Sequence, residues 1–144
     1  MVLQEEHMDV RIVKTGQFGD LHVEPQHVFR FTDGLLGFED LHEYVLIADE
    51  NSAPLQWLIS IEQPEIGFPV ISPVFIDAQY SAGKDYLDQE RFATLVIVTL
   101  AQSGMTVNMK APVVLDCNDQ TGKQLILSSD RYLPNQPLGK QTRA

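Results

Sequence analysis

The chain has 144 residues, of which 44% are apolar and 21% are charged, as in an ordinary soluble globular protein of one domain. It carries 10 Lys and Arg residues against 20 Asp and Glu residues, for a formal net charge of −10. A negative field of this size repels phosphate backbones and anionic lipids, so we expect no direct binding to nucleic acid or to a membrane.

The first half of the chain predicts a series of short strands, because apolar residues recur at every second position. Val10–Lys14 and Leu21–Glu24 predict a β-hairpin, since the connection between them contains two glycines. Val28–Phe31 and Tyr44–Ala48 predict two further short strands. In Leu55–Ile61 the alternating Leu, Trp and Ile residues predict a strand with one buried face.

The second half continues this pattern. Gly67–Ser72 predicts a strand at an edge or a bulge, because two prolines remove hydrogen-bond donors from its ladder. Ala93–Leu100 is the most apolar run and predicts a strand that is covered on both faces. Met105–Asp116 is the longest alternating stretch, and Lys123–Ser128 follows it after a turn, which predicts a second hairpin. From Leu133 onward, prolines and a polar end predict an extended or frayed tail.

Helix signals are sparse. Glu39–Glu43 predicts one turn, and Lys84–Glu90 predicts one or two turns with Ser81 or Asp85 as the cap. Many short strands, with turns between them at a spacing of about 8–12 residues, indicate an all-β barrel or sandwich.

Negative charge is concentrated in the middle of the sequence. Residues 33–90 hold twelve acids and one base, Lys84, whereas the rest of the chain holds eight acids and nine bases. This asymmetry favours an acidic face that attracts a basic protein. The alternative is that the acids only keep the protein soluble.

The composition of the N-terminus and the cysteine count predict a cytoplasmic protein. The region from Met1 to Asp9 is polar and has no apolar signal segment, and no apolar run approaches the about 18 residues that span a bilayer. Cys117 is the only cysteine, which excludes an intramolecular disulfide and a metal site built from several cysteines.

The sequence shows no catalytic motif. No serine lies in a nucleophile elbow, no glycine-rich segment has the spacing of a nucleotide loop, and Cys117 lacks an activating motif. The histidines form no metal-binding pair: they are His7, His22, His27 and His42. We therefore predict a protein that is not an enzyme and that holds neither a metal nor a cofactor.

Two segments have an unusual composition. In Asp33–Asp40 two glycines bracket two leucines, and Phe38 precedes two acids. Either these apolar residues plug the end of a barrel, or the loop presents an aromatic anchor beside acids to a partner. In Asn108–Pro112 the Asn and the Lys point to one face, and the proline indicates either an edge open to a partner or a simple bend.

At these segments the sequence resembles the FliW family of flagellar assembly factors. The resemblance runs from about Val10 to Leu138 and departs from the family pattern at Leu36, where proline is usual, and between Ala78 and Phe92, where the chain is shorter than expected. The matching stretches occur in order: Phe18–Val23, Asp33–Glu39, Trp57–Phe68, Leu95–Thr99, Thr106–Val114, Gly122–Leu127 and Tyr132–Leu138.

The resemblance implies a compact antiparallel β-barrel of many short strands with one or two short helices. We expect a single domain over residues 1–144, with its core between about residues 10 and 138. The resemblance further implies a binding protein that holds flagellin before export and that captures CsrA, an mRNA-binding repressor of flagellin translation, once flagellin has left.

We expect this protein to act as a monomer. The residues predicted to contact its partners are Phe38, Glu39, Asp40, Tyr44, Asn108 and Lys110. The alternative is a barrel that binds a small molecule or an ion, or a hydrolase with acids at the barrel mouth.

Overall fold

The computed structural model describes residues 10–138, which contain eleven strands and four short 3-10 turns. The first six strands are β1 (Arg11–Thr15), β2 (Gly19–Val23), β3 (Val28–Arg30), β4 (Glu43–Ala48), β5 (Gln56–Ser60) and β6 (Gly67–Ile71). The other five are β7 (Phe92–Ala101), β8 (Gly104–Val107), β9 (Val113–Asp116), β10 (Thr121–Gln124) and β11 (Gln136–Leu138). The 3-10 turns are Pro25–His27, Glu50–Ser52, Pro73–Phe75 and Lys84–Tyr86.

Seven strands close into a barrel, which confirms the predicted fold class. Their order is β7-β6-β5-β4-β3-β10-β9, and β9 pairs back with β7. All of these pairs are antiparallel except β3 with β10, which meet in parallel at the single pair Arg30 and Thr121. The strands β8 and β11 extend the sheet beyond the barrel, from the C-terminal half of β7.

The first seven strands begin and end within two residues of their predicted bounds, but the predicted helices are wrong in part. Residues 39–42 form a turn and a short connection to β4, which begins at Glu43, and no helix. The segment from Lys84 to Glu90 contains one 3-10 turn, over its first three residues. Its N-cap is Gly83 and no side chain caps it, so the predicted caps are also wrong; the Ser81 hydroxyl instead accepts a bond from the Gly83 N–H. Among residues 10–138, no helix is long and apolar enough to cross a membrane.

The barrel interior is filled with apolar side chains contributed by five of its strands and by the segment between β3 and β4. Its buried members are Phe31, Leu35, Leu41, Tyr44, Leu58, Val70, Leu95, Val113 and Leu115. Because strands alternate, the opposite side chains of the same strands point outward, and they too are apolar and covered.

The β1–β2 hairpin covers one outer face of the barrel. Val13 and Val23 of the hairpin pack on Val28, Val45 and Ile59. A two-stranded hairpin is marginal on its own, and each buried valine stabilises it here by roughly 1.5–3 kcal/mol. The alternation of Leu55–Ile61 predicts a strand with one buried face, but β5 is buried on both faces because the hairpin covers its outer one.

A second outer face lies under residues 73–82 and 127–138, which contain little regular structure. We call its buried residues the outer cluster: Ile71, Tyr80, Val96, Val98, Val107 and Met109. The strand β11 within residues 127–138 pairs with β8, so the tail is extended as predicted but not frayed between residues 136 and 138. The end of the predicted tail, after residue 138, lies outside the described residues.

The alternating stretch Met105–Asp116 is interrupted at residues 108–112. Val107 pairs with Val98, and Val113 pairs with Leu95, so five residues lie between these pairs on this path where only two lie between them on β7. The three extra residues form a bulge, which divides one predicted strand into β8 and β9.

Candidate protein-binding surface

The Asp33–Asp40 loop closes one end of the barrel with its apolar side chains. Leu35 is buried among the interior residues, and the Phe38 ring packs edge-on against Phe68 with centroids 5.0 Å apart. The N–H of Phe38 donates to the carbonyl of Leu35 at 2.7 Å, which forms a turn with Gly37 at φ +86°. Proline is favoured at the position before such a glycine, which accounts for the family's usual residue at Leu36.

The other side of the same loop faces outward. Leu36 is 54% exposed, and Glu39 and Asp40 are exposed as well. The Glu39 carboxylate accepts a hydrogen bond from the Gly37 N–H at 3.0 Å, so it is held beside the turn. Leu35 and Phe38 thus fill the end of the barrel, as the first reading predicts, and Phe38 is not the exposed aromatic anchor of the second reading. Leu36, Glu39 and Asp40 remain exposed for contact.

Tyr44, predicted to contact a partner, lies inside the barrel with 0% of its surface exposed, so this prediction is wrong. Alternation along β4 puts Tyr44 on the inner face and Val45 on the outer face beneath the hairpin. Burial, with a smaller contribution from the Glu62 carboxylate, raises the pKa of Tyr44 to about 12.

Asn108 and Lys110 do not project together from one strand face, which corrects that prediction. The Asn108 side-chain oxygen accepts from the backbone N–H groups of Lys110, at 3.2 Å, and Ala111, at 3.0 Å, and so holds the bulge. The Lys110 ammonium donates to the carbonyl of Ser129 at 2.8 Å. Lys110 thereby fastens residues 127–138 to the barrel, which is a structural role.

Gln124 joins the two segments that the sequence marks as unusual. The N–H of Leu36 donates to its side-chain oxygen at 2.9 Å, and its side-chain nitrogen donates to the carbonyl of Ala111 at 3.0 Å. The Asp33–Asp40 loop and the bulge are therefore parts of one surface at one end of the barrel.

Between these two segments lies a groove of about 560 Å³, which we call the β6–β7 groove. Its volume is within the roughly 300–1,000 Å³ range of ligand sites. None of its lining residues is charged: they are Leu36, Trp57, Gly67, Phe68, Pro69, Ile97, Val98, Thr99, Leu100, Asn108, Gln124 and Pro134. In a chain with a net charge of −10, an uncharged groove of this size favours an apolar or neutral occupant.

A proline opens this groove. The strand β6 pairs with β5 along its length but with β7 only at Val70 and Ile71. Ser60 N donates to the carbonyl of Ile66, and bonded pairs recur at every second residue of an antiparallel ladder, so the backbone of Pro69 faces β7. The pairing of Val70 with Ile97 needs the Pro69 carbonyl to accept from the Val98 N–H, but proline has no N–H to donate in return, and the two strands separate beyond it. The edge that is predicted for Gly67–Ser72 is therefore confined to the beginning of β6.

Acidic side chains are exposed in the Asp33–Asp40 loop and in the neighbouring β5–β6 turn. The Glu62 carboxylate accepts from the backbone N–H groups of His42 and Glu43 at 3.0–3.1 Å, which ties the β5–β6 turn to the Asp33–Asp40 loop. Glu39, Asp40, Glu62 and Glu65 are all exposed at this end of the barrel; we call them the acidic rim. The remaining acids of residues 33–90 are divided among other places, such as the β4–β5 turn, so the predicted acidic face holds only part of the block.

The end of the barrel under the Asp33–Asp40 loop offers no polar cleft for catalysis. It is plugged by Leu35, Phe38 and Leu41, and the acids lie on its outer rim. Among residues 10–138, no group of three or more His, Cys, Asp or Glu side chains is arranged to hold a metal ion. The alternative of a hydrolase or ion-binding barrel is therefore not favoured.

Known proteins resemble this chain over most of its length. Residues 12–138 match the family model described as FliW protein. The "Flagellar assembly factor FliW" of Bdellovibrio bacteriovorus is 34% identical over 137 residues, covering 88% of this chain and 78% of that protein. The protein of the same name from Caldanaerobacter subterraneus subsp. tengcongensis is also 34% identical, with 88% and 91% covered. A crystal structure titled as the flagellar assembly factor FliW superposes with a TM-score of 0.79 at 27% identity, covering 89% of this chain and 96% of that one.

Proposed function

The chain belongs to the FliW family of flagellar assembly factors, and from this membership we propose that it is a regulatory binding protein that holds flagellin and the repressor CsrA in turn. It acts in the cytoplasm and without catalysis. While flagellin is abundant it occupies the protein, and after export the protein captures CsrA, so that translation of flagellin resumes.

The observation that supports this proposal is the composition of the surface at the loop end of the barrel. It combines an uncharged groove with the acidic rim, and both are accessible. An mRNA-binding protein carries positive charge for its phosphate contacts, so the acidic rim attracts it. Once bound, the same negative charge repels RNA from the complex.

Two partners that replace each other must be coupled. If each lowers the affinity for the other, the coupling free energy is the same in both directions. A shared surface is the simplest source of this coupling, because both partners cannot occupy it together.

The direct test is calorimetric titration of the protein with CsrA, with flagellin, and with each in the presence of the other. We expect binding to each partner alone and a lower affinity for either when the other is present. Simultaneous binding at unchanged affinity would contradict the exchange of partners, and binding to neither would contradict the proposed function.

The acidic rim is tested by Glu39→Lys, with Glu50→Lys as the matched control. Both glutamates are exposed, but Glu50 lies in the β4–β5 turn at the other end of β4. We expect Glu39→Lys to weaken CsrA binding by about tenfold at low salt, since it reverses a charge that steers a basic partner. Glu50→Lys should have a much smaller effect, and the difference should shrink as ionic strength rises. Equal effects of the two variants would remove the rim from the interface.

A further inference from the structure

The seam between β3 and β10 closes the barrel with very little backbone pairing. The two strands are in register only at Arg30 and Thr121, and the Arg30 N–H donates to the carbonyl of Gln120 at 3.0 Å. Every other pair of neighbouring strands around the barrel shares at least two registered positions. Contacts outside the ladder therefore hold this seam on either side of Thr121.

A glutamine side chain lies at each end of the seam. Gln120 directly precedes β10, and its side-chain nitrogen donates to the carbonyls of Gln26, at 2.6 Å, and Val28, at 3.0 Å. These bonds join the start of β10 to the start of β3. Gln124 is the last residue of β10, at the end under the Asp33–Asp40 loop. Both glutamines are half-buried, so they are a matched pair at opposite ends of the barrel.

Gln124 makes the hydrogen bond that links the Asp33–Asp40 loop to β10. Within residues 10–138, every other hydrogen bond of residues 33–40 stays inside residues 31–41. The buried side chains of the loop anchor its base, but Leu36 at its tip is 54% exposed. The place of the tip relative to β10 therefore depends on the bond from the Leu36 N–H to Gln124.

The chemistry of an amide suits this position. Its oxygen accepts from the Leu36 N–H at 2.9 Å while its nitrogen donates to the carbonyl of Ala111 at 3.0 Å, so one planar group connects the loop with the bulge. A carboxylate has no proton to donate to Ala111, and an ammonium has no lone pair to accept from Leu36. An apolar side chain of the same size would leave both backbone groups without a partner.

The bond at Leu36 also bears on the acidic rim. The N–H of the next residue, Gly37, donates to the Glu39 carboxylate at 3.0 Å, so Gln124 and Glu39 accept from consecutive N–H groups of one turn. A turn that is held in place presents this carboxylate in one orientation. A surface that is ordered before binding loses less conformational entropy when a partner arrives. Gln124 can therefore raise affinity through the loop.

We propose that Gln124 is a positioning residue of the partner-binding surface, which fixes the tip of the Asp33–Asp40 loop against β10 so that Glu39 meets CsrA in a preset orientation. This inference rests on the proposed function and assigns the residue that orders its binding surface. Gln120 makes the corresponding bonds at the opposite end of the barrel, where they hold the fold and do not order this surface.

The test compares Gln124→Met with Gln120→Met in the whole protein. Each substitution keeps an unbranched side chain of similar size and removes the hydrogen bonds of the amide. We expect Gln124→Met to weaken CsrA binding by about tenfold in calorimetric titration, and Gln120→Met to leave it within about twofold of the unaltered protein. Urea denaturation of both variants gives their stability, which a purely structural role would make the affinity follow.

A double-mutant cycle shows whether Gln124 acts through the loop. Glu39→Lys should weaken CsrA binding by about tenfold in the unaltered protein but by no more than about threefold in the Gln124→Met protein, because the turn there no longer orients the carboxylate. In the Gln120→Met protein the full tenfold effect should remain. Additive effects of Gln124→Met and Glu39→Lys would contradict the positioning role.

Hydrogen exchange of the unaltered protein is a measurement that needs no variant. The Leu36 amide should exchange at least about tenfold more slowly than an unprotected amide, although the side chain is exposed, because it donates to Gln124. Exchange at the unprotected rate, or full CsrA affinity of the Gln124→Met protein, would overturn the proposal and leave the proposed function intact. Absence of CsrA binding to the unaltered protein would overturn the proposed function, and this inference with it.

Discussion

The barrel interior and the outer cluster each bury one tyrosine, and they hold it in different ways. Inside the barrel, Tyr44 packs edge-on against Phe31 with ring centroids 5.1 Å apart, and its buried hydroxyl has no hydrogen-bond partner among the described residues. In the outer cluster, the Tyr80 hydroxyl donates to the carbonyl of Met109 at 2.6 Å. The interior is thus specified by shape and backbone conformation, and the outer cluster also by directional hydrogen bonds.

The reason for the difference lies in what covers each region. The interior is enclosed by paired strands, whose backbone groups are already satisfied. The outer cluster lies under residues 73–82 and 127–138, which have few strand partners and are fastened by side chains. Tyr132 packs on Tyr80 with centroids 4.7 Å apart, and its hydroxyl donates to Asp77 at 3.0 Å. A backbone N–H from Gln79 and this hydroxyl hold the pKa of Asp77 below its usual range.

The largest effect is expected where the interior depends on backbone conformation, at Gly34. This residue has φ +67°, and a Cβ there would lie 2.6 Å from the carbonyl oxygen of Phe38 and 2.7 Å from Cα of Glu39. Gly34→Ala combines a left-handed conformation, at roughly 1–2 kcal/mol, with a clash against backbone that cannot rotate away, at roughly 1–3 kcal/mol. We expect a loss of about 3 kcal/mol in the free energy of unfolding, measured by urea denaturation.

Gly37→Ala is the matched control for this prediction. Gly37 also has a positive φ, +86°, but nothing lies within 4 Å of a Cβ there. The control should therefore lose only the roughly 1–2 kcal/mol of the left-handed conformation. If both variants lost the same free energy, the close approach of the Asp33–Asp40 loop at Gly34 would not contribute to closing the barrel.

A smaller loss is expected in the outer cluster from Tyr80→Phe. The substitution leaves the buried carbonyl of Met109 without its donor, which costs about 1–3 kcal/mol. Tyr86→Phe is the control, because the Tyr86 hydroxyl makes no hydrogen bond within residues 10–138, and it should be near neutral. Equal stability of the Tyr80→Phe and unaltered proteins would show that packing alone holds residues 127–138 in place.

Sequence patterns predict the strands of this protein well because alternation is a local property. They do not predict which face is inside: β4 has Tyr44 and Leu46 on one face and Val45 and Ile47 on the other, and all four are apolar enough for a core. The choice is made by the β1–β2 hairpin, which covers the second face. For this reason Tyr44 is wrongly predicted to contact a partner, although it lies inside the barrel.

The candidate surface is harder to predict, because its parts meet only in the folded barrel. The segment around Asn108 can be recognised by its proline, but its relation to Leu36 depends on Gln124, which bonds to a residue 88 positions away in the chain. The β6–β7 groove likewise depends on register, since Pro69 ends a ladder only because its backbone faces β7. No local pattern reports a register between distant strands.

The last prediction is a gain in stability, from Tyr44→Phe in the interior. The substitution removes a buried hydroxyl that has no partner and keeps the ring that packs on Phe31, so we expect a gain of about 1 kcal/mol at neutral pH.

The gain in stability should grow in alkali. In the unfolded chain Tyr44 loses its proton near pH 10, whereas burial in the folded protein raises its pKa to about 12, so the unfolded state holds fewer protons above pH 10. The stability that the protonated hydroxyl contributes is complete below pH 10 and falls between about pH 10 and 12, a loss that the phenylalanine variant lacks. Urea denaturation of both proteins from pH 7 to 11 measures the two effects together. A variant that is less stable at neutral pH would show that the hydroxyl is hydrogen-bonded in solution, and the contrast between the two tyrosines would then disappear.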